Sequence, residues 1–320
     1  MSPVLQKCPV CQALLDEEDL FCGNCGAEAP AAEARQADAS RAFTYNFRCS
    51  ACGASMSYDA SAGRLRCPFC GSEDLSKQAD AKTISPTRVV PFVMTRDQAV
   101  AAMRAWLGRG FWRPGDLAQQ AMVVSMTPVY VPCWVFQATT HTFWAADTGQ
   151  TPGGARGQWF PLFGEHRGRH EGLLVAASGA LTPAETTAIS PFDLSKGVEP
   201  GGVDLDNITV EQFAVPRKYA RPLARAGLEG LEQLACRQYV PGRCRNLKVN
   251  VRLEGLSSEP VLLPAWIMAY RYRDRVFRFL LNGQTGAATG QAPVSYRKIA
   301  LAVGIALAAA VLIALAALSR

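Results

Sequence analysis

Eight of the eleven cysteines in this 320-residue chain fall into four Cys-x-x-Cys pairs near the N-terminus. Such a pair places two thiolates on one tight turn, and two pairs supply the four ligands of a tetrahedral zinc ion. Ten residues separate the first two pairs, and fourteen separate the last two. The spacing predicts two zinc ribbons that each hold one Zn²⁺, with the ligands Cys8, Cys11, Cys22 and Cys25 in ribbon 1 and Cys49, Cys52, Cys67 and Cys70 in ribbon 2.

Glycine follows the second cysteine of three pairs, as Gly26, Gly53 and Gly71. A left-handed backbone at this position lets amide groups point at sulfur, and glycine adopts that conformation at little cost. Because the protein fills all four positions at each ion, the two sites are predicted to be structural rather than catalytic. The paired spacing argues against a redox Cys-x-x-Cys motif. An iron–sulfur cluster remains the alternative that spacing alone leaves open.

The histidines give little sign of further chemistry. His166 and His170 lie in the segment GEHRGRHEG, whose glycines disfavour a helix, so the sequence predicts a solvated polar hairpin there rather than a metal site. The chain contains no GxxxxGK[ST] phosphate-binding loop, no GxSxG elbow and no GxGxxG motif. The sequence therefore predicts a protein that is not an enzyme.

Charge gives no indication of a nucleic-acid partner. The formal net charge is +6. Eight thiolates and two Zn²⁺ ions together contribute −4, which leaves about +2. The acidic run at residues 16–19 of ribbon 1 would repel phosphate. Ribbon 2 carries a group of aromatic and basic residues that either form a stacking surface for bases or, as we favour, fill the small core of the ribbon: Phe43, Tyr45, Phe47, Arg48, Arg64 and Arg66.

Residues 299–318 form an uncharged apolar stretch at the C-terminus. Twenty helical residues rise about 30 Å, which matches the hydrocarbon thickness of a bilayer. Arg297 and Lys298 precede this stretch, and basic residues stay on the cytoplasmic side. The chain starts without a secretory signal, and thiolate ligands suit a reducing compartment. The sequence predicts a single-pass protein of the inner membrane with its bulk in the cytoplasm; a very apolar core helix is the alternative.

The remaining sequence predicts an α+β fold. The region 88–293 carries two segments that resemble each other, each with a helix, strands and a Pro-x-Trp motif, at Pro132/Trp134 and Pro264/Trp266. Each segment also has a Thr-Gly pair, Thr148-Gly149 and Thr285-Gly286. The pattern indicates a duplicated α-β-β-β unit; the alternative is two unrelated strand pairs that both carry tryptophan.

Composition shifts along the chain predict the domain boundaries. The predicted units are ribbon 1 at 1–27, a linker at 28–42, ribbon 2 at 43–75, a linker at 76–87, an α+β domain at 88–293 with an insertion near 150–215, and a membrane tail anchor at 294–320.

The order of motifs resembles that of a known family. After two ribbons come VVPF at 89–92, VYVPCWVF at 129–136, LLPAW at 262–266 and LNGQTGAATG at 281–290, and then the apolar C-terminal stretch. This order resembles bacterial membrane proteins described as TFIIB-type zinc-ribbon-containing, some of which carry a primosomal helicase-like label. The resemblance covers nearly the whole chain. A helicase would need the phosphate-binding loop that is missing here.

Some members of that family occur beside membrane-stress proteins of the phage-shock and SPFH scaffold types. The resemblance therefore implies a membrane-anchored adaptor or scaffold that binds protein partners, with the bilayer as the partner of residues 299–318. The alternatives are a membrane-tethered nucleic-acid-binding protein that uses its ribbons, and a hydrolase or transferase hidden within residues 88–293.

Overall fold

The computed structural model describes residues 6–15, 22, 24–25, 27, 29, 46–57, 66–78, 84–154, 156–205 and 208–318. The strands are β1 (Gln6–Lys7), β2 (Leu14–Leu15), β3 (Asn46–Cys49), β4 (Ser55–Ser57), β5 (Leu75–Gln78), β6 (Arg88–Val89), β7 (Met122–Thr148), β8 (Phe160–Ala176), β9 (Thr209–Glu211), β10 (Cys244–Tyr272), β11 (Arg275–Asn282) and β12 (Ala288–Gly290). The α-helices are α1 (Arg96–Gly108), α2 (Leu117–Gln120), α3 (Pro183–Ala188), α4 (Arg217–Arg237) and α5 (Tyr296–Leu318).

Most of the described strands form one mixed ten-stranded sheet, which agrees with the predicted α+β class. Its central pair is β7 and β10, which run antiparallel from Met122 opposite Arg271 to Thr148 opposite Cys244. The middle of β7 is buried on both faces, whereas its C-terminal part alternates between buried and exposed residues. Such a change from continuous to alternating burial marks the point where one face of a sheet meets solvent.

Two similar halves of the chain meet at the centre of the β7–β10 pair. Val131 lies opposite Leu263, its equivalent in the other Pro-x-Trp segment. The short strands repeat this relation, because β6 pairs in parallel with β10 at Val261 and Leu262, and β9 pairs in parallel with β7 at the equivalent positions. The repeating unit is therefore strand–helix–strand–strand: β6-α1-β7-β8 in the first half and β9-α4-β10-β11 in the second.

The two tryptophans make the same contact in each half. The Trp134 indole N–H donates to the Val215 carbonyl oxygen at 2.9 Å, and the Trp266 indole N–H donates to the Met94 carbonyl oxygen at 3.2 Å. Val215 and Met94 each stand directly before the N-cap residue of a helix, α4 and α1 respectively. Each tryptophan thus fixes the start of the helix that belongs to the other half.

The repeating unit differs from the predicted α-β-β-β unit in two ways. The short strand before each helix was missed, because two or three residues carry too little periodicity to be recognised. The Thr-Gly pairs are also not equivalent, since Thr148-Gly149 stands at the end of the long strand β7 and Thr285-Gly286 follows β11. The predicted insertion at 150–215 is likewise too wide, because β8 pairs along β7 from Phe160 to Ala176 and belongs to the repeat.

Ribbon 2 is not a separate unit from the α+β domain. Its strand β4 pairs antiparallel with β9, with Met56 opposite Glu211, so β3, β4 and β5 extend the main sheet. Cys49, Cys67 and Phe69 are buried in the same apolar cluster as residues of the central strands. The boundary predicted at 76–87 therefore does not separate two cores, although residues 79–83 of that linker lie outside the described part.

Helix α1 begins at a local capping motif. Thr95 is the N-cap, and a capping box joins it to Gln98. One face of the helix buries Ala99, Met103 and Leu107 against the β10–β11 side of the sheet. The resulting packing places the loop after α1 beside the start of α5.

The C-terminal segment is helical, as α5, and none of its side chains described at 296–312 is buried. Over the residues that the structure describes, no helix combines the length and the apolar character that a bilayer-spanning helix needs. The predicted span 299–318 includes residues 313–318, whose side chains lie outside the described part. The membrane anchor therefore stays a prediction.

Candidate metal centres

The four cysteines of ribbon 1 converge. The Sγ atoms of Cys8 and Cys25 are 3.6 Å apart, and those of Cys11 and Cys22 are 3.5 Å apart. A tetrahedral ion with metal–sulfur bonds of about 2.3 Å separates its sulfur ligands by about 3.8 Å. The measured separations fit one ion held by four thiolates.

Ribbon 2 repeats this arrangement. The Sγ atoms of Cys49 and Cys70 are 3.5 Å apart, and those of Cys52 and Cys67 are also 3.5 Å apart. In both ribbons the first cysteine of each pair is buried and the second is half-buried or exposed. The structure thus brings all eight predicted ligands together as two closed four-cysteine clusters that could hold two structural metal ions.

The backbone of the cysteine turns follows the predicted conformation. The Gly53 amide donates to the Cys49 carbonyl oxygen at 2.9 Å, and the Gly71 amide donates to that of Cys67 at 2.8 Å. Both glycines have φ of +77°. Gln12 occupies the same position after Cys11 with φ of +61°, and its amide donates to the Cys8 carbonyl oxygen at 2.9 Å. The third predicted glycine, Gly26, lies outside the described residues.

Replacing Gln12 with glycine is expected to tighten metal binding by ribbon 1. A side chain in the left-handed region costs about 1 kcal/mol, and glycine removes that cost. Because the ribbon folds around its ion, the gain should raise metal affinity by about fivefold, measured by competition with a chromogenic chelator. Gln12→Ala removes the side-chain atoms beyond Cβ but keeps the Cβ, which is what makes the left-handed backbone costly. An equal gain in that variant would contradict the explanation.

Asn24 supports the thiolate form of one ligand. Its side-chain Nδ2 donates to the Cys11 Sγ at 3.5 Å. This hydrogen bond lowers the pKa of Cys11 to about 6. Since the thiolate is the form that binds metal, Asn24 favours binding at neutral pH.

The prediction of a solvated polar hairpin at His166 and His170 is wrong. Both imidazoles lie on β8 facing α4, and their side chains are only 18% and 17% exposed. They converge on the fully buried Glu232, with His166 Nδ1 2.8 Å from Oε2 and His170 Nε2 2.5 Å from Oε1. The Thr140 hydroxyl donates to the same Oε1 at 2.7 Å.

The groups around Glu232 keep it ionised. Burial alone would raise the pKa of this carboxyl, but the hydroxyl and imidazole groups that surround it lower the pKa to about 2. The sequence contained a partial signal, since Glu232 and Cys236 are one helical turn apart on the buried face of α4. Nothing local in the sequence indicated that this face meets β8.

The predicted stacking surface of ribbon 2 lies partly outside the described residues, which include neither Phe43 and Tyr45 nor Arg64. The acidic run 16–19 of ribbon 1 also lies outside them. Of the residues that are described, Phe47 is half-buried. Arg66 forms an ion pair with Glu73 at 2.5 Å. Arg48 is exposed. Both interpretations of this group of residues therefore stay predictions.

The fold and its cysteine clusters define the chain as a mixed α+β protein with two four-cysteine clusters near its N-terminus. Among curated proteins the chain is similar to the "Uncharacterized protein YdjG" of Bacillus subtilis strain 168, with 23% identity over 316 residues that cover 80% of this chain and 92% of the relative. The printed name assigns no activity to this relative. No family model matches the chain, and no solved structure matches it.

Proposed function

We propose that the protein is a cytoplasmic adaptor, anchored in the inner membrane by its C-terminal helix, that binds protein partners through its folded body. Two structural Zn²⁺ ions hold its ribbons. The observation that carries the proposal is the surroundings of α5, where an exposed apolar helix starts beside exposed aromatic and basic side chains.

Helix α5 presents apolar side chains to its surroundings. Of the seven large aliphatic residues described along it, Ile299 is half-buried. The other six are each more than half exposed: Leu301, Val303, Ile305, Leu307, Val311 and Leu312. In water such a surface is unfavourable, by roughly 25 cal/mol for each Å² left exposed. A bilayer would accommodate it on all sides of the helix, whereas a groove of a folded partner would cover one side.

A collar of aromatic and basic residues surrounds the start of α5: Phe111, Trp112, Tyr296, Arg297 and Lys298. The loop after α1 touches the helix, because the Ser295 amide donates to the Trp112 carbonyl oxygen at 2.7 Å and Lys298 Nζ donates to the Arg113 carbonyl oxygen at 2.9 Å. The side chains of Phe111 and Trp112 remain 72% and 46% exposed. Aromatic rings and cations at one end of an apolar helix are typical of the membrane–water interface.

The outer face of α4 supports binding of a protein partner. Its inner face buries Ala220, Ala224 and Leu228, while four large apolar side chains on the helix remain at least 40% exposed: Tyr219, Leu223, Leu231 and Leu234. Apolar side chains that an amphipathic helix leaves exposed, beside the face that packs on the core, are typical of a surface that another protein covers.

Ligand chemistry supports the assignment of the two ions as zinc. Four thiolates in a tetrahedron suit zinc, and a closed shell leaves no open position for water or substrate. The competing iron–sulfur assignment predicts a coloured protein with inorganic sulfide. A colourless purified protein with zinc in its ribbons is the expected result.

Deleting residues 299–320 is expected to move the protein from the membrane fraction to the soluble fraction. The ribbons and the sheet lie outside the deletion, so the metal content per chain should stay the same, which elemental analysis can check. The matched control replaces residues 299–318 with a leucine-rich segment of equal length and should restore membrane fractionation. A deletion variant that folds, keeps its metal and still resists extraction by carbonate would contradict the anchor.

A further inference from the structure

We propose that the chain contains a third metal site, between β8 and α4, in which His166, Glu232 and Cys236 bind a divalent transition ion of the zinc class. His170 would act as a positioning residue that holds the carboxylate. The site is separate from both ribbons and from the surfaces on which the adaptor function rests.

The donor atoms already lie within reach of one ion. One imidazole nitrogen of His166, one carboxylate oxygen of Glu232 and the Cys236 Sγ are all within 4.8 Å of one another. A tetrahedral zinc ion with nitrogen, oxygen and sulfur ligands separates them by about 3.3–3.8 Å. Small side-chain rotations would therefore bring all three donors to one ion without a change in the backbone, and a water molecule would take the fourth position.

The secondary structure arranges these donors on facing surfaces. Glu232 and Cys236 lie one turn apart on the buried face of α4, and His166 and His170 point to the same side of β8. Imidazole, carboxylate and thiolate form a mixed donor set that zinc and its neighbours in the first transition row bind well. An alkaline-earth ion would prefer a shell of oxygens.

The residues around Glu232 leave space for its carboxylate to lie close to β8. Gly168 stands between the two histidines on the inner side of β8, and a Cβ atom at this position would collide with Glu232 Oε1 and Thr140 Oγ1. Thr140 and His170 both contact Oε1, while Oε2 faces His166. Hydrogen bonds from neighbouring groups to a ligand carboxylate fix its orientation, as is usual around protein-bound metals.

The two imidazoles keep the cluster in contact with solvent, since the side chains of His166 and His170 are 18% and 17% exposed. A cavity of about 260 Å³ borders His170 but none of the three donors. A hydrated ion would enter at the exposed edge of His166 and lose water as it binds. Binding would displace the proton of the Cys236 thiol, since the thiolate is the form that binds metal.

The test counts the ions in the full-length chain. Wild-type protein in detergent, with its thiols reduced, is dialysed to equilibrium against Zn²⁺, and the metal-to-protein ratio is measured by mass spectrometry. Three ions per chain are expected in the wild type, and two are expected in both Cys236→Ala and His166→Gln. Cys244→Ala is the matched control, because Cys244 packs near Cys236 and is not one of the three donors; it should keep three ions. Two ions in the wild type, or three in every variant, would overturn the site.

A measurement on the wild type alone covers the case in which a variant fails to fold. With ¹¹³Cd²⁺ in place of zinc, each bound ion gives its own resonance, and sulfur ligands move the resonance to high frequency. Two high-frequency signals are expected from the ribbons, together with a third signal at clearly lower frequency from the mixed site. A spectrum with the two ribbon signals only would mean that the cluster is a hydrogen-bonded network without metal.

Discussion

Replacing Cys49 with serine is expected to destabilise the whole sheet domain, lowering its free energy of unfolding by on the order of 4 kcal/mol. The loss is large because ribbon 2 shares its core with the rest of the fold. Cys49, Ala54 and Met56 are buried in one cluster with Val131 and other residues of the central strands. Without its ion, ribbon 2 would no longer hold β4 against β9, and water would enter this cluster.

The matched control is Cys8→Ser in ribbon 1. That ribbon has its own two-stranded sheet and a small cluster of its own around Cys8 and Cys22. Its contact with the main body includes Leu14, which is buried in one cluster with Trp134. Both variants should lose one ion per chain, but Cys8→Ser should shift the main unfolding transition by less than about 1 kcal/mol. Equal shifts in urea unfolding, followed by tryptophan fluorescence, would contradict the shared core.

The metal clusters were predictable because their determinants are local. Two residues between paired cysteines fix the turn, and the φ of +77° at Gly53 and Gly71 is the conformation that glycine at that position indicates. A helix with a good cap is equally local, since the capping box at the start of α1 needs only Thr95 and Gln98. In these cases a few neighbouring residues decide the structure.

Features that depend on distant pairing were missed. Nothing near Met56 indicates that it lies opposite Glu211, yet this pairing joins ribbon 2 to the main sheet. The same holds for His166 and Glu232, which meet only because β8 and α4 pack together. The flanking glycines suggested a solvated hairpin, whereas Gly168 is the residue that lets the carboxylate approach the strand.

The internal repeat depends both on local motifs and on distant pairing. Its Pro-x-Trp motifs were visible in the sequence, but their role depends on the pairing of Val131 with Leu263, which places each tryptophan beside the helix of the other half. The predicted order of elements, α-β-β-β, was wrong because the strands that begin each repeat, β6 and β9, are only two and three residues long. Strands of this length are defined by their partners rather than by their own pattern.

Replacing Glu211 with glutamine is expected to stabilise the protein at alkaline pH. The Glu211 side chain is buried where β9 meets ribbon 2, and its Oε1 accepts hydrogen bonds from the Ser178 hydroxyl at 2.8 Å and the Gly179 amide at 2.9 Å. Burial outweighs these bonds and raises the pKa of Glu211 from its ordinary 4.5 to about 7. Glutamine keeps the accepting oxygen and never has to be charged.

The sign of the pH dependence follows from proton binding. Between pH 4.5 and about 7 the unfolded chain releases the Glu211 proton while the folded protein keeps it, so wild-type stability falls as the pH rises through this window. From pH 5 to 8.5 the advantage of Glu211→Gln over the wild type should grow by about 2–3 kcal/mol, measured by urea unfolding at both pH values. Glu229→Gln, at a half-exposed position on α4, is the control and should show no such growth. An advantage of Glu211→Gln that stays constant across this range would mean that the buried carboxyl titrates alike in the folded and unfolded chains.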